Sequence, residues 1–399
     1  MRSRLVAVAA YALALACLAA VLLSITPRYT AYDGPLRMAC ELVRGRTYLP
    51  EFVEWLEMFR HDGRDYLAYP PMVSFVLVPY AALSGSSLGQ PLANTILILG
   101  SAVLLFALMR RLPGVEPLAG RAALAYALGT PVLYSASAGD VWMLMHSEGN
   151  FFLLLALLLV VRTRCGAGSG GGRAALLGAG FCFLVAMQVR YSVALASLTF
   201  GLLFLQRAPR GARLSAALRS SLWFGAGALP ALVVVLAYQW WTLGDPLMLP
   251  YSAGWREWGL RGPQFSLRYF WRNLPVYTWA VPSLLPGFPY LRFDASGQSI
   301  FVLSPFFLGV FLADVRRPWV PAFLAAAVAM FGLYLLYFGT GFAQFGARYV
   351  QDAYPVLLPA AFSAFGRPGR GWRAALDALI VFSVAFNSYG VYVTRFLPG

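Results

Sequence analysis

Two aspartates beside predicted apolar segments are the residues of this chain that most directly suggest chemistry. Asp33 lies shortly after the first apolar segment, and Asp140 comes just before the fourth. A carboxylate held in a cleft can act as a general base for a hydroxyl group, or bind a divalent metal such as Mg²⁺ or Mn²⁺. We therefore predict that Asp33 and Asp140 are catalytic and could be metal ligands. The alternative for Asp33 is an ordinary Asp-Gly turn.

Two further ionisable residues follow Asp140 on the same predicted helix. At ~1.5 Å per residue, Glu148 lies about 12 Å below Asp140. An ionisable residue at that depth in a membrane normally lines a cavity or has a partner, and both alternatives stay open for Glu148. His146 is either a substrate ligand or an interior histidine whose hydrogen bonds are satisfied.

Two arginines are predicted at the same level as these acids. Arg190 ends the fifth apolar segment, and Arg348 stands in a run that continues with Tyr349 and Asp352. Guanidinium groups bind phosphate in a bidentate manner, so we predict that these residues, with Tyr69 before the Pro-Pro pair, bind a phosphate-bearing substrate. The alternatives are an Arg348–Asp352 ion pair one helical turn apart, and an Arg190 side chain that extends to the membrane interface.

The elements that must position these residues are membrane helices. Hydrophobic residues make up 60% of the 399 residues and charged residues only 12%. Apolar runs of about 18–22 residues, each long enough to cross a bilayer core, recur along the chain. The sequence thus predicts an all-α polytopic membrane protein, one domain over residues 1–399, with about eleven spans. These are roughly 5–25, 91–109, 119–137, 145–161, 174–189, 191–206, 222–241, 300–313, 319–338, 353–365 and 374–393.

Arginine clusters predict the orientation of these spans, because short cytoplasmic loops retain positive charge. Clusters such as Arg110/Arg111 and Arg316/Arg317 fall in alternate loops, which we place in the cytoplasm together with the N-terminus. Only Glu116, Asp314 and Asp377 then lie on the inner side, which leaves 13 of the 16 acidic residues on the non-cytoplasmic side. The active site is therefore expected at that face.

Two large outer loops are predicted at residues 26–90 and 242–299. Within the first loop, Pro50–Arg60 has an apolar face and a face with Glu51, Glu54 and Glu57, which predicts an interfacial helix. Pro71–Ser84 is apolar, but a full crossing there would reverse the later arginine clusters. We interpret it as an interfacial or re-entrant helix.

Charge and loop length exclude several classes of function. The net charge of +15 comes with 31 basic residues, of which 17 lie in the inner loops, where topology accounts for them. Nucleic acid is therefore not an expected partner. The inner loops are too short to fold around a nucleotide sugar, so a lipid-linked substrate is favoured.

Taken together, these motifs resemble a known family. Asp33 in the first outer loop, the Tyr69-Pro-Pro helix, Asp140 before the fourth span and Phe345-Gly-Ala-Arg-Tyr are similar to features of the GT-C membrane glycosyltransferases. They look most like the bacterial branch related to the protein mannosyltransferases and aminoarabinose transferases.

The resemblance implies transfer of a sugar from a polyprenyl-phosphate donor, with inversion, to a lipid or envelope-glycan acceptor at the non-cytoplasmic face of a bacterial inner membrane. It implies that Asp33 is the base or a metal-linked acid, that Asp140 is a second acid and that Arg348 is a phosphate ligand. The acid that follows the first aspartate in several relatives is replaced by Gly34. The alternatives are a transporter or lipid flippase, and a non-catalytic subunit of an envelope-synthesis complex.

Overall fold

The structure is a computed structural model that describes residues 2–163, 170–208, 210–259, 262–341, 344–367 and 369–397. It is mostly helical. The first eight α-helices are α1 (Arg2–Ile25), α2 (Gly34–Val43), α3 (Met72–Ser84), α4 (Gln90–Met109), α5 (Ala119–Leu128), α6 (Val132–Ala138), α7 (Val141–Arg162) and α8 (Gly170–Val189). The next eight are α9 (Ser197–Arg207), α10 (Arg213–Leu243), α11 (Pro250–Glu257), α12 (Phe270–Thr278), α13 (Ile300–Leu303), α14 (Trp319–Leu335), α15 (Tyr354–Phe362) and α16 (Arg370–Val391).

Short elements complete the described residues. Two antiparallel two-stranded sheets are formed by β1 (Met58–His61) with β2 (Arg64–Leu67), and by β3 (Ser283–Leu284) with β4 (Leu291–Arg292). The 3₁₀ helices are Glu116–Leu118, Tyr191–Ala196, Arg210–Ala212, Leu267–Tyr269, Pro305–Leu312 and Arg348–Ala353, and a π-helix over Tyr392–Phe396 follows α16. The all-α prediction therefore holds apart from these two small sheets.

Five helices of the described residues are long and apolar enough to cross a membrane. They are Gln90–Met109, Val141–Arg162, Gly171–Val189, Arg213–Leu243 and Arg370–Phe396. Shorter apolar helices include Met72–Ser84 and Trp319–Leu335. At ~1.5 Å per residue the helix over Met72–Ser84 is about 20 Å long, less than the bilayer core. The count of eleven crossings stays a prediction.

The first outer loop contains a β-hairpin where the sequence predicted a helix over Pro50–Arg60. His61 pairs with Arg64, so Asp62 and Gly63 form a two-residue loop, with φ values of 47° and 71°. An Asp-Gly pair with positive φ is typical of hairpin turns whose twist matches that of the strands. The prediction of an interfacial helix over Pro50–Arg60 is wrong. The Asp62-Gly63 turn, and not the helical spacing of the apolar residues, determines the local structure.

Two of the predicted spans are interrupted at an internal proline, whereas α10 continues through Pro230. The segment 119–137 divides into α5 and α6 around Thr130 and Pro131, and the segment 300–313 divides into α13 and a 3₁₀ helix that starts at Pro305. Proline disfavours the helical conformation of the residue before it, which ends a helix there. Hydropathy detects an apolar segment but not such a break.

Three of the loops predicted to be cytoplasmic meet at one end of the bundle. The Arg317 guanidinium donates to the carbonyl oxygens of Pro113 (3.4 Å) and Gly366 (3.1 Å), which belong to two other such loops. At the start of α16, Asp377 pairs with Arg121 of α5 at 2.5 Å. These loops therefore share one face, as the alternating arginine clusters require. Which face lies in the cytoplasm stays a prediction.

Glycines bring α8 and α10 into close contact. A Cβ atom on Gly180 would lie 1.7 Å from the carbonyl oxygen of Phe224, and one on Gly227 would lie 1.9 Å from that of Leu177. Small residues at helix interfaces let backbones approach closely, which stabilises helix pairs in membranes.

Replacing Gly227 by alanine is expected to destabilise this helix pair, because the added methyl group must displace backbone. Overpacking of this kind costs about 1–3 kcal/mol. The measurement is the thermal unfolding midpoint in detergent. The matched control is Gly225→Ala on the same helix, where an added Cβ would meet nothing within 4 Å. Equal midpoints for the two variants would contradict the close packing.

Candidate functional site

A cavity of about 650 Å³ opens between the two large outer loops and the adjoining helix ends. Its described lining residues include four ionisable groups besides tyrosine, which are Glu57, His146, Arg190 and Arg348. They also carry many aromatic side chains, among them Tyr69, Trp142, Tyr251, Tyr334, Tyr337 and Tyr349. Aromatic faces beside a few charged groups suit a substrate that combines a sugar ring with a phosphate.

Asp352 lies behind the wall of this cavity and is only 1% exposed. Its carboxylate accepts hydrogen bonds from His146 Nδ1 (2.5 Å), Arg190 Nε (2.9 Å), Ser192 Oγ (2.7 Å) and Tyr334 Oη (3.1 Å). Four donors on two oxygens occupy the carboxylate, so it serves to position its partners. Arg190, predicted to extend to the interface or to bind substrate, forms an ion pair with Asp352 and lines the cavity.

The two arginines share one aromatic ring. The guanidinium carbons of Arg190 and Arg348 each lie 5.4 Å from the ring centroid of Tyr349, so they are at most twice that distance apart. Arg190 takes this position because α8 ends at Val189 and residue 190 is extended, with φ −137° and ψ 100°. Arg348 opens the 3₁₀ helix that also carries Asp352. Both guanidinium groups line the cavity, where they present positive charge that suits a phosphate.

His146 lies in the cavity wall, whereas Glu148 does not. His146 lines the cavity, and its Nε2 is buried with no hydrogen-bond partner among the described residues, which makes it available to a ligand. Glu148 is fully buried, and neither of its carboxylate oxygens has a hydrogen-bond partner among those residues. It is not part of the cavity wall. The structure therefore gives Glu148 no contact with a ligand in this cavity.

Glu57 is a cavity residue that the sequence analysis did not select. The Trp142 indole donates from Nε1 to Glu57 Oε1 at 3.1 Å, and the Arg348 guanidinium lies over the same indole at 5.5 Å. Burial raises the pKa of Glu57, while the indole N–H and Arg348 partly offset that rise. Burial and Glu57 together raise the pKa of the nearby Tyr69 phenol. The signal available in the sequence was the Asp62-Gly63 pair, which indicates a hairpin shortly after Glu57.

The backbone segments that carry Asp33 and Asp140 lie next to each other. The amide of Val141 donates to the Tyr32 carbonyl at 3.1 Å, and the Gln90 side chain donates to the Tyr32 carbonyl and to Gly139, both at 3.1 Å. The two acids that follow Tyr32 and Gly139 are therefore on neighbouring segments, and their catalytic role stays a prediction.

The carboxylates of Asp33 and Asp140 nevertheless have different hydrogen-bond partners. Asp33 pairs with Arg37 at 2.6 Å and lines a second cavity of about 220 Å³, together with Glu41 and Arg44. Asp140 caps α7 by accepting from the Met143 amide at 3.0 Å. Burial raises the pKa of Asp140, and the Met143 amide and Arg348 oppose that rise. Asp33 does not line the cavity that holds the two arginines.

A preformed metal site is not evident in the part of the chain that the structure describes. No group of three or more His, Cys, Asp or Glu side chains there could hold a metal ion. An Asp33–Asp140 site for Mg²⁺ would need waters or substrate phosphate to complete its coordination. A metal ligand role for these two residues stays a prediction, and no chemical step is assigned to a metal.

Solved structures with a similar fold were found by structural comparison. ArnT from Cupriavidus metallidurans in the apo state matches with a TM-score of 0.59 at 16% identity, over 94% of this chain and 63% of that chain. The oligosaccharyltransferase of Archaeoglobus fulgidus, tethered to an acceptor peptide, matches with a TM-score of 0.57 at 11% identity, over 97% of this chain and 55% of that one. This chain shares the GT-C fold. The predicted resemblance is thus confirmed at the level of fold.

A third match carries a ligand. ArnT bound to undecaprenyl phosphate matches with a TM-score of 0.52 at 17% identity, over 92% of this chain and 62% of that chain. This chain therefore spans less than two thirds of the length of these solved structures. No protein-family model matches the sequence, and no curated protein matches it.

Proposed function

We propose that this chain is a membrane glycosyltransferase that moves a sugar from a polyprenyl-phosphate donor to a hydroxyl group of a lipid or envelope glycan. The observation that carries the proposal is the pair of guanidinium groups, Arg190 and Arg348, on the Tyr349 ring inside the cavity. The undecaprenyl phosphate bound by the similar ArnT structure supports this class of donor.

In this proposal the donor phosphate lies between the two arginines. They stabilise the negative charge that develops on the phosphate as the sugar leaves. Tyr69 and the other aromatic walls contact the sugar ring, and His146 Nε2 accepts a hydrogen bond from one of its hydroxyl groups. Direct attack by the acceptor oxygen inverts the anomeric carbon.

Asp33 and Asp140 belong to the acceptor side in this proposal. Asp33 lines the second cavity, and the ring of the preceding Tyr32 lies 4.8 Å from that of Trp142, which lines the first cavity. In the proposal, these two acids orient the acceptor, directly or through a divalent metal. We place both cavities at the non-cytoplasmic face of a bacterial inner membrane, because the first outer loop lines the second cavity and both outer loops contribute to the first.

The rival functions are a transporter or flippase and a non-catalytic subunit. A midplane substrate site between repeated half-chains is typical of a transporter, whereas this cavity lies at helix ends between two loops.

The decisive experiment incubates the purified chain with a panel of undecaprenyl-phosphate sugars and detergent-extracted envelope glycans. We expect one donor to be converted to undecaprenyl phosphate with the sugar on a glycan, and the metal requirement is read from a chelator arm. Movement of donor across vesicles without sugar transfer would support a flippase instead.

A further inference from the structure

The cavity that holds the two arginines has one carboxylate among its described lining residues, which is Glu57. The other acidic side chains near the site have hydrogen-bond or ion-pair partners outside this cavity or behind its wall. Asp352 is saturated by four donors behind the wall, and Asp140 caps α7. Asp33 pairs with Arg37 in the second cavity. A proton acceptor within this cavity must therefore be sought at Glu57 or at His146.

Glu57 is held next to the phosphate-binding arginine. Its Oε1 accepts from Trp142 Nε1 at 3.1 Å, and Arg348 lies 5.5 Å from the centroid of that indole. The indole thus fixes the carboxylate on one edge while its ring contacts the guanidinium. A hydroxyl group bound at Glu57 would lie beside a donor whose phosphate is bound by Arg348. This is the arrangement that a general base requires.

His146 is less suited to take the proton. It shares Asp352 with Arg190, and Arg190 and Arg348 both line the same cavity. Asp352 contacts His146, but its charge is already balanced by Arg190. A proton on His146 would therefore add uncompensated positive charge near Arg348, which Coulomb repulsion disfavours. Glu57 becomes neutral when it takes a proton, so no such repulsion arises.

We propose that Glu57, and not Asp33, is the general base of the transfer; this inference rests on the proposed function. Glu57 takes the proton of the acceptor hydroxyl as its oxygen forms a bond to the anomeric carbon. The bond between that carbon and the phosphate oxygen breaks, and its electron pair stays on the phosphate. The products are the glycosylated acceptor, polyprenyl phosphate and a protonated Glu57.

The first test compares Glu57→Gln with Glu54→Gln. Glutamine keeps the shape of the side chain and an oxygen that accepts from Trp142, so the fold is retained. Turnover of Glu57→Gln is expected to fall at least about 100-fold. Glu54→Gln removes the same charge from an exposed position in the same loop and is expected to keep wild-type turnover.

The pH profile separates a base from a structural residue. A base works only when ionised, so kcat/KM of the wild type should rise with pH through the pKa of Glu57. Because burial raises that pKa, the acidic limb lies above the usual range of a glutamate. Glu57→Gln is expected to lose this limb, and Asp33→Asn is expected to keep it whatever its effect on rate.

A binding measurement tests the same placement without turnover. Undecaprenyl phosphate is titrated into wild type, Glu57→Gln and Glu54→Gln. Removing an ionised carboxylate close to the bound phosphate is expected to tighten binding about threefold or more for Glu57→Gln only. Unchanged binding in Glu57→Gln would place its carboxylate away from the phosphate and overturn the inference.

The outcomes for Glu57 and for the proposed function are distinct. Wild-type transfer together with full turnover of Glu57→Gln overturns Glu57 alone. Loss of the acidic limb in Asp33→Asn or His146→Gln, with the limb retained in Glu57→Gln, assigns the base to that other residue. A wild type that neither transfers a sugar nor binds undecaprenyl phosphate overturns the proposed function and this inference with it.

Discussion

Replacing Asp352 by asparagine is expected to reduce sugar transfer at least about 100-fold and to lower the thermal unfolding midpoint. Asparagine keeps one acceptor oxygen but loses the charge that Arg190 and His146 contact at 2.9 and 2.5 Å. Removing one partner of a buried ion pair costs about 3–5 kcal/mol, because the other charge is left uncompensated. The measurements are turnover, the unfolding midpoint in detergent and binding of undecaprenyl phosphate.

The matched control for this prediction is Asp62→Asn in the hairpin turn. Asp62 is exposed, with a φ of 47°, and asparagine is equally suited to such a turn. We expect this control to behave like the wild type in all three measurements. A normal midpoint and normal turnover for Asp352→Asn would show that the carboxylate is not required to hold Arg190 in place.

Replacing Arg190 and Arg348 by glutamine, singly and together, is expected to weaken donor binding. Each variant loses hydrogen bonds between charged groups, which contribute roughly 1.5–3 kcal/mol each, so each should weaken undecaprenyl phosphate binding about 10- to 100-fold. In the double variant, the fold-loss of undecaprenyl phosphate binding should be smaller than the product of the two single fold-losses, because in this proposal both side chains contact one phosphate.

The control for this cycle is Arg292→Gln, an exposed arginine on β4 of the second outer loop. It is expected to bind undecaprenyl phosphate like the wild type. Since Arg190 also neutralises Asp352, Arg190→Lys serves as a second variant that keeps the charge but lacks the planar fork. Strictly multiplicative losses would mean that the two arginines bind separate groups.

Much of the fold and part of the site could be predicted from the sequence. Apolar runs predicted long helices such as those over Gln90–Met109 and Val141–Arg162, because burial of apolar residues in a bilayer does not depend on tertiary detail. Arg190, Arg348, His146 and Tyr349 were selected, and all four line the same cavity.

The sequence did not reveal Glu57, for a physical reason. Its selection depended on the structure of the first outer loop, where a helix pattern and a hairpin turn competed. On a helix, Glu57 shares the polar face with Glu51 and Glu54. In the hairpin, it lies just before β1 and reaches Trp142, which is 85 residues away in sequence. Such a contact depends on tertiary structure and has no local signature.

The contacts of Asp352 also bear on how this chain can change in evolution. His146, Arg190 and Tyr334 come from three segments far apart in sequence, yet all three depend on one carboxylate. A change in one of these positions removes the benefit of the others. In related chains the residues at 146, 190 and 352 should therefore be inherited as a set, and should covary where any of them differs.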